Sequence, residues 1–272
     1  MDRSEMRRLV EKVTSLPTLP GSVTRITKML DDTDTTAAAV GREIEKDQVL
    51  SAKVLKLVNS GFYGFSQPIS TIQHAMVLLG FNVVKTLVLS TSVLDMMSNS
   101  MAGLWQHSLA CARTCAIIAR FLDLDDPEEI SVTGLLHDLG KVVLEANVKE
   151  VFEPVLALVQ EKDMLFYKAE EEVMEITHAT VGGWLLDQWQ LPGQLVEPIM
   201  YHHDFHPNRT HALRTGVVHL ADILVRAEGF GSGGDRRIPI LSEEAMKVMG
   251  LDADDLKDIM DEMMDEMRDM LR

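Results

Sequence analysis

The chain has 272 residues, 46% hydrophobic and 25% charged, an ordinary composition for a soluble, globular protein of one large or two smaller domains. Its formal net charge of −16 repels nucleic-acid backbones and argues against general nucleic-acid binding. The two cysteines, Cys111 and Cys115, form neither a CxxC pair nor a disulfide framework, the charged start lacks the apolar core of a secretory signal, and no apolar run is long enough to span a bilayer, so a cytoplasmic protein is expected.

Residues 4–14 read as a short polar helix, followed by an extended turn that Pro17 and Pro20 impose. From Ser22, the spacing of Val23, Ile26, Met29 and Leu30 predicts an amphipathic helix. Asp34-Thr35-Thr36 offers a cap for a helix through Ala37, Val40 and Ile44, and Asp47 a cap for one through Leu50, Val54 and Val58. A turn-rich loop with three aromatics, Asn59 to Pro68, comes next. Thr71 then opens a helix that Gly80 ends, and Asn82 opens another through Leu94. Two helices around Gly80 suggest a helix-turn-helix, but Val83 to Leu89 is too apolar for a recognition helix, and core packing is the preferred reading. No segment alternates as a strand does. The expectation is an all-α protein.

The chemistry-bearing residues begin after Leu104. An alanine-rich helix carries His107, and Asp126-Pro127 starts a helix leading into Leu135-Leu136-His137-Asp138-Leu139-Gly140-Lys141. On one continuous helix His137 and Lys141 share a face, so a cation could take His137 and Asp138 with the lysine one turn along to receive an anion. A surface His-Asp pair on an amphipathic helix is the plainer alternative. His178 and His202-His203 fall on further predicted helices, and Asp222 interrupts the apolar run Val217 to Leu224. Gly229 to Asp235 reads as a flexible loop. A final helix, 252–272, carries a methionine-rich stripe fit to dock on the body or to pair with a second copy.

Single histidines are more often core or surface residues than ligands. Here, however, seven nitrogen or carboxylate groups recur in apolar settings, as a two-metal site in a helical bundle needs. His74, His206, His211 and His219 are expected to bind no metal.

His107, His137-Asp138 and Asp222 follow the order found in HD-domain metal-dependent phosphohydrolases. The stretches Leu50 to Asn59 and Ile69 to Ala75 resemble specifically the HDOD family, helical relatives of the HD-GYP phosphodiesterases found in bacterial signalling. The resemblance runs from about residue 10 to residue 225. It implies an N-terminal HDOD lobe (1–100), an HD-like metal-site lobe (101–228), a connector (229–251) and the C-terminal helix (252–272). It further implies two divalent transition-metal ions, iron preferred, with manganese or zinc as alternatives. His107, His137, Asp138 and Asp222 would hold one, and Asp138, His178, His202 and His203 the other. Asp138 and Lys141 would then be catalytic, Asp138 bridging the cations and Lys141 steadying a substrate phosphate.

Two departures accompany the resemblance. His202-His203-Asp204 is followed by Phe205-His206-Pro207, with no Gly-Tyr-Pro, and Gly103 stands one turn before His107 where a third cation would need a carboxylate. Two functional readings therefore stand. One is a signalling module, with a protein partner, whose metal site is structural or senses a phosphorylated ligand. The other is a phosphohydrolase acting on a nucleotide or cyclic dinucleotide.

Overall fold

The computed structural model describes residues 35–59, 68–80, 101–189 and 191–270, with residues 8, 25, 26, 29, 83, 84 and 86–88 between them. The proline turn at 16–20 and most of the aromatic loop lie outside the described residues, as do the expected helices over 4–14, from Ser22 and over 82–94 except at residues 8, 25, 26, 29, 83, 84 and 86–88, which are helical. Thirteen helices and no strand are present among the described residues. The chain divides into two compact units, one of Ser15–Asp95 and one of Met96–Arg272 with Met1–Thr14.

In the first unit, three helices follow their expected caps. They are α1 (Ala37–Glu45), α2 (Gln48–Val58) and α3 (Ile72–Leu79). The Thr36 hydroxyl accepts from the Ala39 amide, the Asp47 carboxylate from Leu50, and the Thr71 hydroxyl from His74. Asn59 holds the return of the chain with both ends of its amide, donating to the Ile69 carbonyl at 2.7 Å and accepting from the Ile69 amide at 2.6 Å. Buried Val40, Ile44, Val54, Val58, Ile72 and Leu79 form the apolar interior.

The second unit contains α4 (Leu104–Phe121), α5 (Pro127–Leu136), α6 (Leu139–Asn147), α7 (Lys149–Lys162), α8 (Phe166–Met174), α9 (His178–Gln188), α10 (Gly193–Tyr201), α11 (Ala212–Ala227), α12 (Glu243–Met249) and α13 (Ala253–Met270). Helices α4, α11, α12 and α13 share one core in which Ile117, Ile118, Val217, Leu220, Ile259 and Met263 are buried. The stripe of α13 is thus docked on its own chain, and Arg113 and Arg120 of α4 fix its polar side through Glu266. Burial of Ile259, Met263 and Met267 contributes about 1.5–3 kcal/mol each.

Two local expectations differ. Asp126 precedes α5, but its side chain makes no cap bond and pairs with Arg214 at 3.2 Å instead. The continuous helix through His137 and Lys141 is interrupted: α5 ends at Leu136, α6 begins at Leu139, and Asp138 sits at φ −94°, ψ 7°. The His137 ring supplies a reason, since its Nδ1 bonds the Gly134 carbonyl at 2.7 Å in competition with helical amides.

Candidate metal centre

The break between α5 and α6 turns His137 and Asp138 towards three other helices. His107 comes from α4, His178 from the first residue of α9, His202-His203 from the turn after α10, and Asp222 from α11. All of the expected site residues converge. His107, His137, Asp138, Lys141, His178, His202 and Asp222 are buried, and the His203 side chain is 5% exposed.

One subset surrounds His107. Its Nε2 lies 3.1 Å from Asp222 Oδ1, 3.3 Å from His137 Nε2 and 3.6 Å from Asp138 Oδ2. The other subset surrounds His178, whose Nε2 lies 3.0 Å from Asp138 Oδ1 and 3.2 Å from His203 Nε2. His202 completes it, and the donor atoms of His178, His202 and His203 all lie within 4.8 Å of one another. Asp138 therefore faces both subsets, one through each oxygen.

Partners behind the ligands set the ring orientations. His137 and His202 follow their helices in the same way, each with Nδ1 donating to the carbonyl three residues back, Gly134 at 2.7 Å and Ile199 at 2.8 Å. His178 Nδ1 donates to Glu170 Oε2 at 2.6 Å. With Nδ1 carrying the proton in each, the three Nε2 atoms present lone pairs to the centre. His202 Nε2 has no hydrogen-bond partner at all, although it is fully buried. An orphaned acceptor of this kind is costly unless a cation meets it. The donor set of imidazoles and carboxylates suits a transition metal.

The charges agree with this. Burial opposes ionisation of Asp138, but His137 and Lys141 outweigh it and hold its carboxyl well below the usual carboxylate range. Asp222 is likewise held low, burial being overcome by Arg226 and then His107. Burial, reinforced by neighbouring histidines, pushes His202 and His203 well down, so their rings stay neutral. Burial also lowers His107, against the pull of Asp222. His178 is raised because Glu170 and Asp138 together outweigh its burial.

Lys141 is engaged within the protein. Its Nζ lies 2.7 Å from Asp138 Oδ1, donates to Oδ2 at 2.8 Å and to the Gly233 carbonyl at 2.7 Å. Being three residues after Asp138 across the helix break, it faces the aspartate rather than His137. The segment Gly229 to Asp235 is tied down here as well. A Cβ on Gly231, at φ +68°, would come 2.3 Å from the His107 amide nitrogen, so only glycine lets this segment press against α4. Gly140 permits an equally close approach, because a Cβ there would meet the His178 carbonyl oxygen at 1.9 Å.

Several contributors are absent from the sequence reading. Glu170 orients His178, Tyr167 stacks on His203 with ring centroids 4.4 Å apart, and Arg226 bonds Asp222 at 2.9 Å and Asp235 at 3.0 Å. Glu170 had a signal, since it shares the apolar face of Phe166, Ala169 and Met174. Arg226 had one in its i+4 spacing from Asp222. Cys111, one turn after His107, belongs to the same donor cluster. Among the histidines expected to be uninvolved, His219 is buried with both nitrogens used, Nδ1 donating to the His202 carbonyl and Nε2 accepting from the Ser242 amide. His74 and His206 are exposed, and His211 is partly buried at the start of α11.

A cavity of about 240 Å³ opens beside His107, lined by Arg226, Asp235, Arg236, Arg237 and the glycine-rich segment. Arg226 is paired there with Asp222 and Asp235, Arg237 with Asp163 at 2.9 Å, and Arg236 is exposed.

An all-helical protein with a buried, metal-competent His/Asp centre is the class that fold and site define. Residues 16–205 match the HDOD domain model, and the chain belongs to the HDOD domain family. It is similar to the crystal structure of an HDOD domain protein of unknown function from Geobacter sulfurreducens, at 29% identity and TM-score 0.72, covering 99% of this chain and 97% of that one. A Shewanella amazonensis SB2B structure, provisionally named a phosphohydrolase, shares the fold at 23% identity and TM-score 0.68, over 97% and 98% of the two chains. An uncharacterized protein of Treponema pallidum is 23% identical over 200 residues, 72% of this chain, and the chain spans only 39% of that relative's length. Among the described residues, no helix is long and apolar enough to cross a membrane.

Proposed function

We propose that this chain is a bacterial HDOD-type regulatory protein whose second unit carries a dinuclear metal centre. His107, His137, Asp138 and Asp222 hold one cation, and Asp138, His178, His202 and His203 hold the other. The observation that carries this reading is the fixed aim of the imidazoles: Nδ1 of His137, His178 and His202 is occupied, and the buried Nε2 of His202 has no protein partner. The nitrogen-rich donors with carboxylates suit iron, manganese or zinc, and iron is preferred because of the resemblance to the HD-GYP phosphodiesterases.

A phosphorylated small molecule or nucleotide is the proposed ligand, and the arginine-lined cavity beside His107 supports it. Arg236, exposed at its rim, meets the phosphate, and Arg226 holds Asp222 and Asp235 in place. Lys141 balances the charge of Asp138 and steadies the phosphate side of the centre. When bound, the cations supply Lewis acidity, which activates water and stabilises charge on phosphoryl oxygens. His178, with Glu170 behind it, keeps its Nδ1 proton directed away from the centre. A signalling partner protein is part of this reading, and hydrolysis of a nucleotide or cyclic dinucleotide is its alternative. The lack of Gly-Tyr-Pro after Asp204 favours binding over turnover of cyclic dinucleotides.

The test is elemental analysis of the purified protein beside Asp138→Ala, followed by a phosphodiester screen. Two metals per chain, lost in the variant, are expected. Full metal content in Asp138→Ala removes the bridging role. Turnover in the screen, abolished by Asp138→Ala, makes the hydrolase the correct reading, whereas stoichiometric metal without turnover supports the regulatory one.

A further inference from the structure

We infer that Cys111 is a thiolate ligand of the cation held by His107, His137 and Asp222. The inference rests on the metal centre proposed above and adds a sulfur donor to it. Cys111 stands four residues after His107 on α4, so both side chains leave the same face of the helix. It is 1% exposed, and its Sγ lies 3.5 Å from His107 Nε2, the nitrogen that faces the centre. The donor atoms of His107, Cys111, His137 and Asp222 all fall within 4.8 Å of one another.

The nitrogen and oxygen spacings are those of a coordination shell. Bonds of ~2.1 Å to nitrogen or oxygen and ~2.3 Å to sulfur, at tetrahedral angles, place nitrogen donors about 3.4 Å apart and sulfur about 3.6 Å from nitrogen. His137 Nε2 at 3.3 Å from His107 Nε2 matches this edge, while Cys111 Sγ, 3.5 Å from Nε2 and 3.9 Å from Nδ1, lies beside the His107 ring and enters the shell by rotation about its own Cα–Cβ bond. Asp222 Oδ1 brackets the same edge, at 3.1 Å from His107 Nε2 and 3.9 Å from His137 Nε2. With Asp138 Oδ2, 3.4 Å from His137 Nε2, the shell has five donors, and its edges scatter about the tetrahedral value. Cys115, one turn further along α4, is an internal control: it is equally buried but packs against Gly134 and is no member of the cluster.

A sulfur donor changes which metal the site prefers. Thiolate selects zinc and other thiophilic ions over manganese, so Cys111 moves the first position away from the hard end of the series. Coordination replaces the S–H bond with a sulfur–metal bond, and the proton leaves to solvent.

The experiment loads the metal-free whole chain with cobalt(II), measures cobalt per chain, and records near-ultraviolet absorption for wild type, Cys111→Ser and Cys115→Ser. Wild type and Cys115→Ser should show thiolate-to-cobalt charge-transfer absorption. Cys111→Ser should lose it and bind cobalt about tenfold more weakly or worse, with unchanged far-ultraviolet circular dichroism. Cobalt bound by wild type without this absorption overturns the ligand role while leaving the metal centre intact, as does absorption that survives in Cys111→Ser. No cobalt bound at all overturns the centre itself. If Cys111→Ser does not fold, the wild-type spectrum alone decides.

Discussion

Lys141 and Asp138 form a buried ion pair, Nζ to Oδ1 at 2.7 Å, in which neither side chain is more than 1% exposed. Removing one partner of such a pair typically costs about 3–5 kcal/mol, because the remaining charge is left without compensation. A cation at Asp138 would supply that compensation. Lys141→Met should therefore lower stability by about 3–5 kcal/mol in the chelator-treated protein and by much less in the metal-loaded one. Urea unfolding with and without metal measures both. Equal losses in the two states would separate Asp138 from the metal.

Glu170 Oε2 accepts from both the amide and Nδ1 of His178, at 2.9 and 2.6 Å. Such orienting carboxylates are commonly worth about 10–100-fold in metal affinity. Glu170→Ala should show that loss in a chelator competition titration, with helix content unchanged. Undiminished affinity would mean that His178 does not need this anchor.

Arg236 is exposed at the rim of the cavity beside His107. Arg236→Ala should weaken binding of a nucleoside monophosphate by about 1.5–3 kcal/mol, the worth of a hydrogen bond to a charged group, and leave metal content unchanged. Isothermal titration beside elemental analysis separates the two quantities. A variant that binds as tightly as wild type excludes Arg236 from the ligand site.

Met263 of α13 is fully buried in the core that α4 and α11 share. Met263→Ala should cost about 2–5 kcal/mol by loss of contacts and creation of a cavity. The exposed neighbour Asp261→Ala should fall within about 0.5 kcal/mol of wild type. Chemical denaturation of both variants gives the comparison, and similar midpoints would mean that α13 docks without contributing to stability.

The sequence by itself determined the helical class, the caps at Thr36, Asp47 and Thr71, and the set of buried polar residues worth watching. These are local properties: hydrophobic period, capping chemistry and charge inside an apolar run act within a few residues of chain. Only the tertiary structure decided what those polar residues meet. His202 and His219 look alike in sequence, each a histidine in an apolar helical stretch. One has a free Nε2 aimed into the centre, whereas the other spends both nitrogens on backbone groups of distant residues. The anchoring of His178 by Glu170 and the closeness of Cys111 to His107 Nε2 are of the same kind. Each depends on the angle at which packed helices deliver a side chain, and that angle is set by core contacts far apart in the chain.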